Sequence, residues 1–268
     1  VKSIAVPGAM PLRLGNMFVY QQFGPKLTVR NGARMQISGR QAAIAAALAL
    51  QLGGGAAALS AAERSFAVDR FDSIRLTDIA AVDIVTGEAV GVTAQGERAD
   101  LDRLEVSDEG GILDIAPQLR GGLSTGAVRI RLRITVPMIN HVALRGAGVV
   151  SINRIAAPGF TATLAGPGRI DVAAIDVQAA NFSTAGSGTI VAAGRCRDAK
   201  AASTGSGDID IARLRCATLV AETAGSGDIR AFATTSAKVT ITGAGNVGVS
   251  GGARCTVSAI GSGKATCG

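Results

Sequence analysis

"STGSGDIDI" at residues 203–211 and "TAGSGDIRA" at residues 223–231 repeat one phrase, a glycine pair followed by an alternating apolar run. Pairs of the form G-x-G begin at Gly146, Gly166, Gly186, Gly205, Gly225, Gly243 and Gly261, in steps of 20, 20, 19, 20, 18 and 18 residues. A near-constant period of that size marks a solenoid. After each pair the chain alternates, as in "RIDV" (169–172), "DIDI" (208–211) and "NVGV" (246–249). A period of two sets Ile and Val on one side of a strand and polar residues on the other. A second apolar stretch, such as "TLVAETAG" (218–225), leads into the next pair. Two or three short strands per unit, turned by glycine, describe one coil of a parallel β-helix, because corner glycines accept positive φ and let backbones stack closely. "ARLRCATLVAETA" (212–224) is rich in helix formers, but the equivalent "AFATTSAKVTIT" is rich in β-branched residues. Both fill one slot of the stack, so the repeat overrides local propensity and predicts strand.

Composition agrees. The 268 residues include 36 Gly, no Trp, one Tyr and one His. Coils of about 20 residues, about 4.8 Å apart, enclose an interior that holds Ala, Val and Ile but few aromatics. Exposed terminal coils would be adhesive edges, so caps are expected.

Ahead of the repeats, Met35 opens "MQISGRQAAIAAALALQLGGGAAALSAAERSF", with Arg40 before an apolar run over Ala42–Leu52 and small residues near Ala61. This is the pattern of a secretory signal peptide. The run is too short for a bilayer span of about 20 apolar residues. Residues 1–34 are expected to be an upstream extension outside the fold, 35–62 the leader, and 63–268 one domain. Within that domain 63–145 form N-terminal strands or a cap, and 146–268 hold the seven glycine-pair coils. The leader changes the charge reading. Residues 1–62 carry six of the 27 Lys and Arg and no acid, which leaves 21 against 20 acids and a net of +1. The high isoelectric point therefore makes no case for nucleic acid. Charge is still segregated: 63–114 hold 13 acids and five Arg, whereas 115–170 hold seven Arg and no acid. Such blocks attract one another within one chain or between subunits.

Residues 63–136 alternate without the glycine pair. "VDIVTGEAVGVTAQG" (82–96) reads as two strands around Thr86–Gly87, and "LEVSDEGGILDI" (104–115) as two strands around Asp108–Gly111. "VRIRLRITVP" (128–137) puts Val and Ile on one face and three Arg on the other, ending at Pro137. With "RSFAVDRFDSIRL" (64–76), "ITVPMINHVALRGAGVVSI" (134–152) and the serial "GSGDI" phrases, the chain resembles the DUF2807 family, the adhesin-type head GIN domain, over roughly residues 64–268. The resemblance implies an all-β, right-handed parallel β-helix in an exported bacterial protein without established enzymatic activity. After Cys267 no length remains for a membrane-spanning barrel, so a departure from a true autotransporter is expected.

Catalytic patterns are weak. "GAGNVG" (243–248) matches the dinucleotide fingerprint, but strand-like "VSGGARCTVS" follows where a helix belongs, and no acid occurs after Asp228. Calcium-binding β-roll repeats have a nine-residue period, about half of this one. Asp208 and Asp228 share one column of the stack and could form a cation site or acid/base pair. A solvated face balanced by Asp210 and Arg230 is the reading adopted. Sugar cleavage usually sets aromatic platforms beside paired acids. Phe160, Phe182 and Phe232 are expected as interior fillers, and His141 in a turn or cap.

Four cysteines, an even number in an exported chain, favour disulfides. Cys196 and Cys216 each precede the next glycine pair by nine residues, which stacks them about 4.8 Å apart and inside disulfide range. Cys255 and Cys267 pair by elimination. Four buried thiols are the competing arrangement. The sequence thus predicts an exported, non-enzymatic, adhesin-like β-helix without cofactor or metal. Its partner is an envelope or extracellular protein or glycan, with self-association as a further mode, and its address the periplasm, cell surface or exterior. The competing function is a polysaccharide-active β-helix enzyme.

Overall fold

The computed structural model describes residues 11–14, 17–20, 62–118 and 128–268. The chain divides into two units, 1–60 and 61–268. In the first, β1 (Pro11–Leu14) and β2 (Met17–Tyr20) pair antiparallel. The expected leader lies outside the described residues except for Ala62, which begins β3 (Ala62–Phe66).

The second unit is a β-solenoid of stacked parallel coils. Its long strands β12 (Ile155–Ala165), β13 (Arg169–Gly186), β14 (Thr189–Gly205), β15 (Asp208–Gly225) and β16 (Ile229–Gly243) pair in parallel, each on its predecessor. β17 (Val247–Ser250), β18 (Arg254–Gly261) and β19 (Ala265–Cys267) complete the far end. The helix-prone stretch 212–224 is strand throughout, as the repeat requires. Inward positions stack into apolar columns. One runs Leu132, Val82, Val150, Ile170, Ile190, Ile209, Ile229 and Val247, with every member at most 1% exposed. Full burial of such a side chain stabilises by about 1.5–3 kcal/mol, and the column repeats that gain in each coil. Phe160 and Phe182 fill the interior edge to face, their centroids 6.5 Å apart.

Each residue of the repeated phrase has its own role. The first glycine turns the corner with positive φ, +105° at Gly205. The second lies against the coil below, where a Cβ on Gly207 would be 2.7 Å from the Gly188 carbonyl oxygen. Inside the same corner, the Ser203 hydroxyl donates to the Gly207 carbonyl (2.5 Å) and that of Thr223 to the Gly227 carbonyl (2.9 Å).

The stack begins before Gly146. β10 (His141–Arg145) lies on β4 (Ser73–Thr77), and β11 (Val149–Ile152) lies on β5 (Ile79–Thr86), both in parallel. Below that coil come β8 (Ile112–Pro117) under β4 and β9 (Val128–Val136) under β5, also parallel. The coil made by residues 73–86 is therefore sandwiched between two coils that follow it in sequence. Asn140 fastens the step over it: its backbone and side-chain N–H groups donate to the Asp72 carbonyl (2.8 Å) and carboxylate (3.0 Å).

The N-terminal end is closed by antiparallel strands. β7 (Leu104–Glu109) pairs with β8 through the Gly110–Gly111 turn, where both φ are positive, so the hairpin expected over 104–115 is present. The two strands expected over 82–96 also form, but not as a hairpin. β9 lies between β5 and β6 (Gly91–Gly96), because its buried Ile130, Leu132 and Ile134 give β5 a parallel continuation of the core. β3 pairs antiparallel with β6, and the short helix α1 (Arg98–Leu101) buries Leu101 beside them.

Candidate functional site

The coil sides present different outer surfaces. From β10 to β18 one side keeps its register without a shift, whereas bulges interrupt the other sides at Val172/Ile175, Val191/Ala193 and Ile211/Arg215. Outward positions on the regular side are mostly small. The central column reads Thr163, Ser183, Ala202, Glu222, Thr240 and Ser258, and Lys200–Glu222, at 3.7 Å, pairs across neighbouring columns. This is a broad sheet surface of hydroxyls and methyls with little charge.

Arginine–aspartate pairs gather on the bulged sides. Arg195 makes two hydrogen bonds to Asp176 (2.6 and 3.0 Å) and Arg197 one to Asp198 (2.8 Å). The Arg195 hydrogen bond holds the Asp176 carboxyl below its usual range, and those from Arg197 and then Thr218 do the same for Asp198. A shallow groove of about 420 Å³ lies beside the register shifts at Val172/Ile175 and Val191/Ala193, lined by Ser151, Asp171, Val191, Ala193 and Arg213. Its carboxylate, Asp171, is engaged by Arg169 at 2.7 Å. A second groove of about 420 Å³ is lined by Arg230, Gly248, Ser250 and Thr266.

The Asp208/Asp228 column is a capping ladder. Asp208 Oδ1 accepts from the Asp228 N–H (2.9 Å), Asp228 Oδ1 from the Asn246 N–H (2.8 Å), and Asn246 Oδ1 from the Lys264 N–H (3.2 Å). Each side chain satisfies a corner N–H of the coil above. Arg230 lies 3.9 Å from Asp210 on the neighbouring column. Among the described residues no group of three or more His, Cys, Asp or Glu could hold a metal ion.

His141 lies at the start of β10, half-buried, where burial and then the Arg75 charge keep its pKa below the ordinary 6.5. Phe160 and Phe182 are interior fillers, but Phe232 is not. It lies outward between buried Ala231 and Ala233, with the Arg215 guanidinium 5.6 Å from its ring centroid. Its neighbours at 231 and 233 already gave that phase. The charge blocks meet within one chain, where Arg133 is the register neighbour of Asp83; Arg75 and Asp114 (2.8 Å) pair inside the acid-rich block itself.

The cysteines join as two pairs. Cys196 and Cys216, in one inward column of adjacent coils, have Cα atoms 4.6 Å apart. Cys255 and Cys267, 6.5 Å apart, cross the last coil.

This layout of coils, corner glycines and capped end coincides with a known family. Residues 70–253 match DUF2807, described as "Putative auto-transporter adhesin, head GIN domain". The chain belongs to this family. None of the curated proteins matches it. Among solved structures, a putative adhesin from Bacteroides fragilis is 21% identical with a TM-score of 0.73, the match covering 78% of this chain and 98% of that one. A putative lipid binding protein from Parabacteroides distasonis is 18% identical, TM-score 0.63, covering 79% and 98%. A putative adhesin from Parabacteroides merdae is 15% identical, TM-score 0.61, covering 78% and 97%. At these identities the likeness is one of fold. Among the described residues no helix is long and apolar enough to cross a membrane.

Proposed function

We propose that this DUF2807 protein is an exported, non-enzymatic, adhesin-like binder whose contact surface is the regular side of the stack. The observation that carries the reading is the unshifted sheet from β10 to β18, with Thr163, Ser183, Thr240 and Ser258 in its outward central column. A rigid plane with hydroxyl pairs at Thr163/Ser183 and Thr240/Ser258, each pair spaced at the strand repeat of about 4.8 Å, suits an extended envelope or extracellular glycan or protein, since little ordering entropy is lost on its side. Two disulfides and an adhesin-type family support export. The polysaccharide-cleaving alternative loses its leading candidates, since Asp208 and Asp228 cap backbone N–H groups and Asp171 is engaged by Arg169.

The test is binding of the purified chain to immobilised envelope fractions, untreated, protease-treated or periodate-oxidised. Thr163→Arg/Thr240→Arg should abolish capture while the same change at Ser187, outside the central column, leaves it intact. The treatment that removes capture tells protein from glycan. Capture unaffected by the paired Arg substitutions, or new reducing ends released from a polysaccharide, would sink this reading.

A further inference from the structure

Four arginines on the bulged sides of the stack have a carboxylate each. Asp171 holds Arg169, Asp176 holds Arg195, Asp198 holds Arg197, and Asp210 lies 3.9 Å from Arg230. Arg213 and Arg215 are arranged differently. Both are exposed, flank buried Leu214 on β15, and have no carboxylate partner among the described residues. Arg215 lies over the Phe232 ring. Arg213 has neither a ring nor a carboxylate.

The register accounts for its position. Ile211 pairs with Ala231 and Arg215 with Phe232, so Ala212, Arg213 and Leu214 have no register neighbour in the next coil. An insertion of this kind bends a strand and re-aims its side chains. It sets Arg213 at one end of the shallow groove. Ser151, Asp171 and Val191 are successive register neighbours along that groove, and Arg213 follows in the next coil beside Ala193. Three coil steps of about 4.8 Å give a length of about 14 Å. Val172, Val191 and Ala193 supply apolar surface, and the far end holds the Ser151 hydroxyl and the Asp171 carboxylate. Arg169 meets both Asp171 oxygens, but an ionised carboxylate has about four lone-pair sites and accepts further donors. Asp210 Oδ1 accepts from the Ala212 N–H, and Asp83, the neighbour of Ser151, has Arg133 beside it. Asp171 and Asp210 against Arg169, Arg230 and Arg213 leave one positive charge, at the Arg213 end.

We infer that this groove is a second binding site, separate from the regular side, for a glycan segment that contains a uronic acid. The uronate carboxylate meets the Arg213 guanidinium in two parallel hydrogen bonds. The C–H face of the sugar ring rests on Val191 and Ala193, and ring hydroxyls donate to Asp171 and bond Ser151. An acidic peptide brings the carboxylate without the hydroxyls, and a neutral glycan brings the hydroxyls without the charge. Neither complements both ends of the groove.

The test titrates the full chain by calorimetry with oligogalacturonate, its neutral methyl ester and polyglutamate. Oligogalacturonate should bind, less tightly as salt rises, and the other two at least about tenfold more weakly. Arg213→Gln should lower the affinity for oligogalacturonate about tenfold or more. Arg213→Lys should recover only part of it, because an ammonium keeps the charge and loses the fork. Arg197→Gln removes the same charge outside the groove and should leave the affinity unchanged. Thr163→Arg/Thr240→Arg, which blocks the regular side, should make it no weaker, so this site and that one fail separately. Equal binding of the ester or of polyglutamate, no loss in Arg213→Gln, or an equal loss in Arg197→Gln would overturn the proposal.

Discussion

Asp78 lies directly beneath Gly146 in the corner column of the stack, in the left-handed conformation with φ of +51°. Its carboxyl fills the space that a Cβ on Gly146 would need. Asp is among the few residues that tolerate this backbone region, because its short side chain bonds locally. Asp78→Ile should therefore cost about 1–2 kcal/mol, whereas Asp78→Gly should be close to neutral. Chemical denaturation of the two variants side by side checks it, and equal losses would contradict the corner assignment.

Gly207 and Gly248 contrast a crowded corner with an open strand position. An Ala at 207 would meet the Gly188 carbonyl and the Thr184 hydroxyl at 2.7 Å, whereas one at 248 would meet only the Thr266 hydroxyl at 3.5 Å. Forcing the coils apart at 207 should cost at least about 1–3 kcal/mol, the range for a locally strained overpacked site. Gly248→Ala should stay within about 0.5 kcal/mol, as ordinary surface changes do. Thermal melts of both variants decide the matter.

Asp228 should behave as a cap. Asp228→Ala leaves the Asn246 N–H without its side-chain acceptor, a loss of about 0.5–2 kcal/mol by analogy with helix caps. Asp228→Asn keeps an acceptor and should recover most of it. If the Asn variant loses as much as Ala, the charge matters rather than the hydrogen bond.

The disulfides should stabilise through the unfolded chain. Cys196 and Cys216 close a separation of 20 residues, worth about 3 kcal/mol in the chain-entropy view. Cys196→Ser/Cys216→Ser should lower the melting temperature accordingly. Peptide mapping without reductant should show Cys196 with Cys216 and Cys255 with Cys267, and a bond from Cys196 to Cys255 would break the column register.

His141 gives an acid-side dependence. Burial, then the Arg75 charge, lowers its folded pKa below 6.5, so below that value the unfolded chain takes up the proton first. This contribution is complete above pH 6.5 and declines as pH falls toward the folded value. His141→Gln should flatten that part of the stability profile. An unchanged slope would place the dependence elsewhere.

The period and the cysteine register were legible because they are local, repeated and additive: a fixed offset from the glycine pair suffices to stack Cys196 on Cys216. The coil at 73–86 was hidden because Asp78 and Ala80 stand where later coils carry glycine, and no count of glycine pairs finds it. The insertion of β9 between β5 and β6 was equally hidden, since alternation tells which face is buried but not which strand lies alongside. Phe232 was legible and misread, its bulk weighed above the phase set by Ala231 and Ala233. The regular side of the stack was out of reach, because register shifts arise from how neighbouring coils fit.

The sandwiched coil has a consequence for biosynthesis. Both neighbours of Ile74 come later in the chain, Leu113 on one side and Val142 on the other. From Ile155 onward each new coil instead meets one already laid down. Closing the longer loops adds little free energy, since that cost grows slowly with length. What it imposes is a dependence: the coil at 73–86 is not covered on both faces until the chain up to residue 152 is available. A lesion before 152 would deprive every later coil of its foundation, whereas truncation after Gly205 would leave a shorter stack on the same base.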